Sequence, residues 1–234
     1  VHQGLITNKG AKMSKSKGTF ISARSYLQNL DPLYYRFFLA TRLTPTMDDL
    51  DLNLEDFATK VNADLIGKIT NLGSRGAQML NKRLDSTMGK LTTDALALVN
   101  QAQSRTSVIA AHFEAREFAK ALGEIKAVAD EANRYFDQMA PWKLINENPE
   151  ATREALTSVL NVFRLISIWL KPILPEYANK VEKLFHEKPW DWSSTEKILT
   201  DHKIGEYSHL AVRMDLEKVK ALIADSAPAP IKHT

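Results

Sequence analysis

The feature of this 234-residue chain that most restricts its fold is a long stripe of apolar residues that begins after Asn53. Its members recur three, four or seven positions apart, which places them on one face of an α-helix rather than on a β-strand. They are Leu54, Phe57, Val61, Leu65, Ile69, Leu72 and Met79. The pattern predicts one long amphipathic helix that ends between Leu84 and Gly89.

Helical patterns account for most of the remaining chain. Residues 22–30 and 32–42 predict a helix pair that is split at Asp31 and Pro32, because Asp is a good N-cap and Pro suits a first helical turn. Further helices are predicted over residues 93–112, 118–139, 151–170, 176–186 and 215–224. The helix over 151–170 is apolar on nearly every face, so it should be the most buried element. The predicted fold class is therefore all-α.

Composition limits the classes of function. The chain has no cysteine, which excludes disulfides, thiolate metal sites and cysteine nucleophiles. Its six histidines show no pair at metal-ligand spacing on a helix face, so we expect no metal site. No signal peptide opens the sequence, and the most apolar run, residues 159–174, falls short of the roughly 20 residues that a membrane span needs. We expect a cytoplasmic protein with no membrane partner.

One short segment carries most of the charge asymmetry. Residues 10–18 place three lysines and two serines between flanking glycines. Residues 1–30 hold five cations and no acidic residue, whereas the whole chain has a net charge of only +3. Mobile ammonium groups on a glycine-flanked loop can close over a triphosphate and stabilise charge that develops on its oxygens. A solvated basic tail is the alternative.

The residues before this loop read as a strand that lacks partners. Residues 4–10 predict a short strand that enters an Asn-Lys-Gly turn and pairs with the residues after that turn. Because an isolated hairpin is marginal in water, we expect the rest of its sheet to lie outside this chain. Residues 44–52 predict an irregular segment, and residues 226–234 have the composition of a Pro/Ala linker or tail.

A row of polar residues borders the long apolar stripe. Lys68, Asn71 and Arg75 lie three and four positions apart, which aligns them on one edge of the predicted helix. An Asn amide can pair with a base edge, and an Arg guanidinium can stack on a base or bind phosphate. Asn71 lies so close to the stripe that we expect it to be either buried and hydrogen-bonded or used in binding. A purely structural role for the row remains open on these grounds.

A second row leads toward a helix break. Trp142 follows Pro141, which ends a helix and can present the indole to solvent, where unpaired bases could stack on it. An ordinary core tryptophan is the alternative. Asp130, Asn133 and Asp137 lie on the preceding helix at spacings of three and four. Beside an RNA site these carboxylates would repel phosphate and reject wrong partners, although solvated helix charges would look the same.

The letters of residues 12–16, Lys-Met-Ser-Lys-Ser, are identical to the second signature of class I aminoacyl-tRNA synthetases. They follow a predicted strand and turn and precede helices, and their continuation to Ile21 resembles the methionyl members. Segments 48–57, 61–64, 71–75 and 132–142 also resemble the bacterial-type methionyl-tRNA synthetase family, so the resemblance runs from Gly4 to about Ala224. One departure is Gly73, where the family pattern suggests Ala; we expect it only to loosen the helix slightly.

The resemblance implies the anticodon-binding helix bundle of class I synthetases at residues 53–225. Residues 1–52 would hold a β-hairpin, the signature loop and connecting helices, and residues 226–234 a tail. It implies a ligase that uses ATP with Mg²⁺ to convert methionine to methionyl-adenylate and then charges tRNA(Met), including the initiator tRNA. The ATP-binding residues would be Lys12, Met13, Ser14, Lys15 and Ser16, with Lys15 catalytic.

The same resemblance implies that Asn71 and Arg75 belong to the anticodon site and that Trp142 lies at the first base of CAU. Lys68, from the same row, and Pro141, which precedes the tryptophan, complete the predicted binding set. The second row, Asp130, Asn133 and Asp137, is the predicted discriminating set on its spacing alone.

The family's histidine signature, nucleotide-binding sheet and zinc-binding insertion are absent from this sequence. We therefore expect the family's zinc to lie outside this chain, no cofactor bound to it, and no aminoacylation by it alone. The alternative is a free-standing helical module that binds RNA or protein through a basic loop.

Overall fold

The computed structural model describes residues 6–8, 11–12, 21–46 and 49–225. Four of the five signature residues, Met13 to Ser16, lie outside the described residues, as does the predicted tail at 226–234. The described helices are α1 Ala23–Asn29, α2 Pro32–Ala40, α3 Leu54–Lys60, a π-helical segment Val61–Thr70, α4 Asn71–Arg83, α5 Thr93–Gln103, α6 Thr106–Glu114, α7 Phe118–Met139, α8 Pro141–Glu147, α9 Pro149–Leu170, α10 Pro175–Leu184, a 3₁₀ turn Trp192–Glu196, and α11 Leu216–Asp225. The strands are β1 Ile6–Asn8, β2 Ala11–Lys12 and β3 Leu50–Asp51.

Helix α9 lies at the centre of the bundle. Every residue from Ala155 to Leu170 is buried, and α4, α5, α7, α8 and α10 pack around it. A side chain on any face of α9 therefore meets another helix, which confirms the prediction from its apolar sequence. Its first turn begins at Pro149, and the Asn148 side chain caps it by accepting a hydrogen bond from the Ala151 amide.

The predicted long helix after Asn53 is continuous from Leu54 to Arg83, although its middle is π-helical. The Asn53 side chain caps it by accepting from the amides of Glu55 and Asp56. In the π-helical part each amide reaches back five residues, as the Asn71 amide does to the Ile66 carbonyl. Apolar spacing alone did not predict this π-helical segment.

The single helix predicted over residues 93–112 is wrong, because the chain turns at Ser104 and Arg105 and forms α5 and α6 instead. The Ser104 hydroxyl donates to the Gln101 carbonyl at 2.7 Å, a local bond that competes with helix continuation. Helix α5 packs on α9 while α6 packs on α7, so the two halves have different partners. Helix α8 was not predicted as an element either.

The predicted hairpin is present and has a second neighbour. Strand β1 pairs antiparallel with β2, with Thr7 opposite Lys12, and parallel with β3, with Thr7 opposite Asp51. The Thr7 hydroxyl also donates to an Asp51 carboxylate oxygen at 2.8 Å. Strand β3 falls within the segment that we expected to be irregular, so this chain supplies a partner strand from its own later residues.

Gly73 lies where α4 packs tightly against α9. This position corrects the expectation that the glycine only loosens its helix. A Cβ atom at this position would lie 2.5 Å from two carbons of the Phe163 ring, and Phe163 is fully buried in α9. Ordinary carbon contacts are about 3.5–4.0 Å. The missing side chain therefore lets α4 approach α9 closely, which positions the rest of α4.

The segment that precedes α11 ties the amino-terminal helices to the bundle. The Tyr34 hydroxyl donates to the Val212 carbonyl at 2.9 Å, and Asn62 exchanges two hydrogen bonds with the backbone of Met214 at 2.8 and 3.0 Å. Asn81 similarly accepts from the Tyr207 amide at 2.9 Å. Among the described residues, no helix is both long and apolar enough to cross a membrane.

Candidate nucleic-acid interface

The two polar rows predicted from the sequence lie side by side on the surface of the bundle. Lys68 Nζ, from the π-helical segment, lies 2.6 Å from Asp130 Oδ1 and donates to Oδ2 at 2.9 Å. Arg75 Nη2, from α4, donates to Asn133 Oδ1 at 2.9 Å, and Nη1 donates to Asp137 Oδ1 at 3.3 Å. The first row is therefore paired with the second through Lys68 and Arg75, a relationship that neither spacing revealed.

Asn133 holds the two rows together. Its Nδ2 group donates to the Lys68 carbonyl at 3.1 Å and to the Ala129 carbonyl at 2.8 Å, while its Oδ1 accepts from Arg75. Both donors of its amide are thus used by protein. Asn133 is better placed to orient Arg75 than to contact a ligand itself.

Arg75 is held on one side and open on the other. Its guanidinium carbon lies 4.4 Å from the centre of the Phe136 ring, in a cation–π contact. Its Nε is buried and has no hydrogen-bond partner among the described residues, whereas its side chain as a whole is 34% exposed. Of five N–H donors, two are used by Asn133 and Asp137, so the Nη groups retain donors for an incoming acceptor.

Trp142 is presented by a sharp turn. Ala140 ends α7 in the left-handed conformation, with φ 42° and ψ 56°, and Pro141 starts α8 at once. Pro141 is buried, whereas Trp142 is 45% exposed. The indole packs against Phe136 with ring centres 5.9 Å apart and planes tilted by 36°. This geometry contradicts a core tryptophan and leaves much of the indole surface accessible.

Asn71 completes the surface. It begins α4, is exposed, and its side chain makes no hydrogen bond with any residue that the structure describes. Of the two outcomes predicted for it, burial with satisfied hydrogen bonds is therefore wrong. An accessible amide carries both a donor and an acceptor, which is what pairing with a base edge requires.

The charges of this cluster balance one another. Lys68 and Arg75 contribute two positive charges, and Asp130 and Asp137 contribute two negative charges, all on side chains that are at least one third exposed. A net-neutral patch has no strong attraction for a phosphate backbone. What it offers is an indole, a guanidinium and an amide on one surface, and these groups suit unstacked bases.

The predicted ATP loop can be placed only in part. Lys12 belongs to β2, where its backbone pairs with Thr7. Met13, Ser14, Lys15 and Ser16 lie outside the described residues. Within the described part of the chain, no group of three or more His, Cys, Asp or Glu side chains could hold a metal ion.

Sequence reasoning missed Phe136. It lies among the apolar residues of the buried face of α7, and nothing in their pattern separates it from its neighbours. Its spacing of three from Asn133 was the available signal, because residues three and four apart share a helix face. Only the packed structure shows that its ring contacts both Arg75 and Trp142.

Comparison with known proteins identifies similar chains over most of this sequence. Residues 86–216 match the family described as the anticodon binding domain of methionyl tRNA ligase, and residues 1–77 match the family described as class I tRNA synthetases (M). A methionine–tRNA ligase of Bdellovibrio bacteriovorus is 52% identical over 225 residues, which are 96% of this chain and 33% of that protein. This chain thus spans about one third of the length of that curated relative.

Two solved structures of Mycobacterium tuberculosis methionyl-tRNA synthetase with methionyl-adenylate share the fold. One superposes with a TM-score of 0.79 at 22% identity, and the other with 0.80 at 25% identity. Each match covers 88% of this chain and 42% of the other.

Proposed function

Because this chain belongs to the methionyl-tRNA ligase family, as its match to the anticodon-binding domain over residues 86–216 shows, we propose that it reads the CAU anticodon of tRNA(Met). The observation that carries the proposal is the grouping of Asn71, Arg75 and Trp142 on one open surface, although 67 residues separate Arg75 from Trp142 in the sequence. Each of the three side chains is at least partly exposed, and that of Asn71 makes no hydrogen bond with a described residue.

The three groups recognise different features of a base. The indole of Trp142 offers a stacking face for the first anticodon base, and a base–aromatic stack is worth roughly 1–3 kcal/mol. Asn71 and the open donors of Arg75 can pair with base edges. Lys68 and Pro141 have supporting roles: Lys68 adds a cation to the row that contains Asn71, and Pro141 begins α8 and so sets the direction of Trp142.

Asp130, Asn133 and Asp137 serve two purposes in this proposal. In the free protein they orient the cations of the first row. Toward RNA, the exposed carboxylates disfavour a misplaced phosphate, which weakens wrong complexes more than the correct one.

Anticodon reading is tested with RNA hairpins that carry CAU or the same loop with one base changed. Trp142→Ala should weaken binding of the CAU hairpin between about fivefold and about 150-fold, which is the equivalent of one stack. Val108→Ala is the matched control, because Val108 is also an exposed apolar side chain but belongs to α6. Equal binding of all hairpins by the unaltered chain would refute anticodon reading and leave a general RNA- or protein-binding module.

We also propose that the segment 12–16 supplies the ATP-contacting loop of the whole ligase. In that enzyme ATP with Mg²⁺ would convert methionine to methionyl-adenylate with release of pyrophosphate. Methionine would then be transferred to tRNA(Met), including the initiator tRNA, with release of AMP, in the cytoplasm. Lys15 would stabilise the charge that develops on the phosphates, assisted by Lys12, and Met13, Ser14 and Ser16 would be the other ATP-binding residues. The chain alone should not catalyse this reaction.

The loop is tested separately from the bundle in the complete enzyme. Lys15→Ala should slow methionine-dependent pyrophosphate exchange roughly 10²-fold, the typical loss of one transition-state donor. Lys9→Ala is the control, since it removes an equal charge outside the signature. An unchanged exchange rate in Lys15→Ala would contradict the role of the loop and would leave anticodon reading unaffected.

A further inference from the structure

We propose that Phe136 is a positioning residue that holds Arg75 and Trp142 in the one arrangement that fits the anticodon. This inference rests on the proposed function of the two residues and assigns a role to a third that does not contact RNA. The juxtaposition that carries it is one buried aromatic ring in contact with both a guanidinium and an exposed indole.

The ring of Phe136 is rigidly placed. It is 1% exposed, belongs to the 22-residue helix α7, and is part of the hydrophobic core. Neither of its partners is similarly anchored, since Arg75 and Trp142 are respectively 34% and 45% exposed. The buried ring is therefore the fixed body against which two more exposed side chains are oriented.

The two contacts differ in chemistry. The guanidinium of Arg75 lies 4.4 Å from the ring centre, where the negative face of the π-system attracts a cation. The indole of Trp142 lies 5.9 Å away at a tilt of 36°, within the range of separations that aromatic pairs favour. An aliphatic side chain of similar size would fill part of the space but would provide neither the electrostatic attraction nor the flat surface.

Helix α7 surrounds Arg75 with three contacts. Asn133 and Asp137 fix the two Nη groups, and Phe136 supports the guanidinium. After the end of α7 the left-handed Ala140 turns the chain so that Trp142 returns onto the same ring. Because the Arg75 Nε is buried with no partner among the described residues, hydrogen bonds do not hold the inner part of this side chain, and the ring contact does.

One consequence is that the contributions of Arg75 and Trp142 to RNA binding should be coupled. A base that stacks on Trp142 and an acceptor that binds Arg75 meet groups whose relative position is already set, so less conformational entropy is lost on binding. Removal of the ring should free both side chains together. Its effect on RNA binding should then depend on the presence of Arg75 and Trp142.

The test compares Phe136→Leu with Phe57→Leu in the full chain. Phe57 is equally buried, at 1% exposure, but its ring contacts Tyr26, Tyr35 and Phe38 in another part of the core. Both variants should lose similar stability in urea. Phe136→Leu should weaken binding of the CAU hairpin roughly tenfold, whereas Phe57→Leu should stay within about twofold of the unaltered chain.

A merely structural role is separated by the double-variant background. In a chain that already carries Arg75→Ala and Trp142→Ala, Phe136→Leu should change hairpin affinity by less than about twofold. The proposal is overturned if the full effect persists in that background, or if Phe57→Leu weakens binding as much as Phe136→Leu does.

A measurement on the free protein distinguishes failure of the positioning role from failure of the proposed function. Acrylamide quenching of Trp142 emission, taken as the difference from the same chain with Trp142→Phe, should increase in Phe136→Leu and not in Phe57→Leu. Unchanged quenching refutes positioning even if CAU hairpins bind. If quenching increases but the chain shows no preference for CAU, positioning of the indole is supported and only anticodon reading is refuted.

Discussion

Replacement of Gly73 by alanine gives a prediction whose sign depends on tertiary packing. From helix propensity alone, Gly73→Ala should stabilise α4 by about 1 kcal/mol, because glycine is that much less favourable than alanine inside a helix. The expectation that Gly73 only loosens its helix follows from the same reasoning. The packed structure predicts the opposite sign.

The magnitude follows from one contact. The added Cβ would lie 2.5 Å from the Phe163 ring, about 1 Å closer than carbon atoms normally approach. Phe163 is fully buried in α9, where close packing leaves the ring little room to move aside. Overpacking of this kind costs about 1–3 kcal/mol, and so large an overlap against a rigid ring belongs at the upper end. After the gain in propensity, Gly73→Ala should destabilise the protein by about 2 kcal/mol.

The assay is urea unfolding followed by far-ultraviolet circular dichroism, with the shift in midpoint at constant slope as the readout. Gly123→Ala is the matched control: Gly123 lies on the exposed side of α7, and a Cβ there would meet nothing within 4 Å. That variant should be stabilised by up to about 1 kcal/mol. In addition, Phe163→Leu should cost less in the Gly73→Ala background than alone, because it removes the clash.

If Gly73→Ala and Gly123→Ala raise stability equally, the close approach of α4 to α9 does not explain why position 73 is glycine. The same result would place α4 further from α9, and with it Arg75, which lies two residues after Gly73. If Gly73→Ala also weakens CAU hairpin binding, then core packing both stabilises the protein and positions the surface that carries Asn71, Arg75 and Trp142.

Three further outcomes are expected. Asp137→Asn should change stability by less than about 1 kcal/mol, since its pair with Arg75 is exposed, but it should tighten binding of non-CAU hairpins by about two- to fivefold and so lower the affinity ratio. Burial alone would raise the pKa of Glu187, but its hydrogen bonds and charge contact with buried Arg164 hold that pKa below its ordinary value. The ionised carboxylate therefore stabilises the fold above about pH 4.5, and this stabilisation is lost as the pH falls through the lowered pKa. Glu187→Gln should lower the free energy of unfolding by about 3–5 kcal/mol at pH 7. In this variant the urea midpoint should fall less between neutral and acidic pH than it does in the unaltered chain. Asn62→Ala should leave the core intact but speed hydrogen exchange at the Met214 amide, which donates to Asn62; equal exchange in both chains would contradict a tie at that point.

Most of the helices and their buried faces could be predicted from the sequence. The stripe after Asn53 and the apolar run of α9 predicted two long helices with the correct burial, because helical periodicity is a local property of consecutive residues. The signature at residues 12–16 indicated the family, and the polar rows indicated the kind of site. Matches over residues 1–77 and 86–216 then showed the family. The break at Ser104 and Arg105 escaped prediction, since it depends on which helix each half contacts.

The surface that carries Asn71, Arg75 and Trp142 is assembled by contacts between distant parts of the chain. Lys68 and Asp130 are 62 residues apart, as are Arg75 and Asp137, so no spacing along the chain could show that they pair. The pairing depends on the angle at which α7 meets the π-helical segment and α4, and on the close packing of Gly73 against Phe163. In the sequence Phe136 does not differ from its apolar neighbours. In the structure its ring contacts Arg75 and also Trp142 of α8. Local patterns record which face of a helix is buried, but contacts between helices are set by the shapes of side chains that meet from distant parts of the chain.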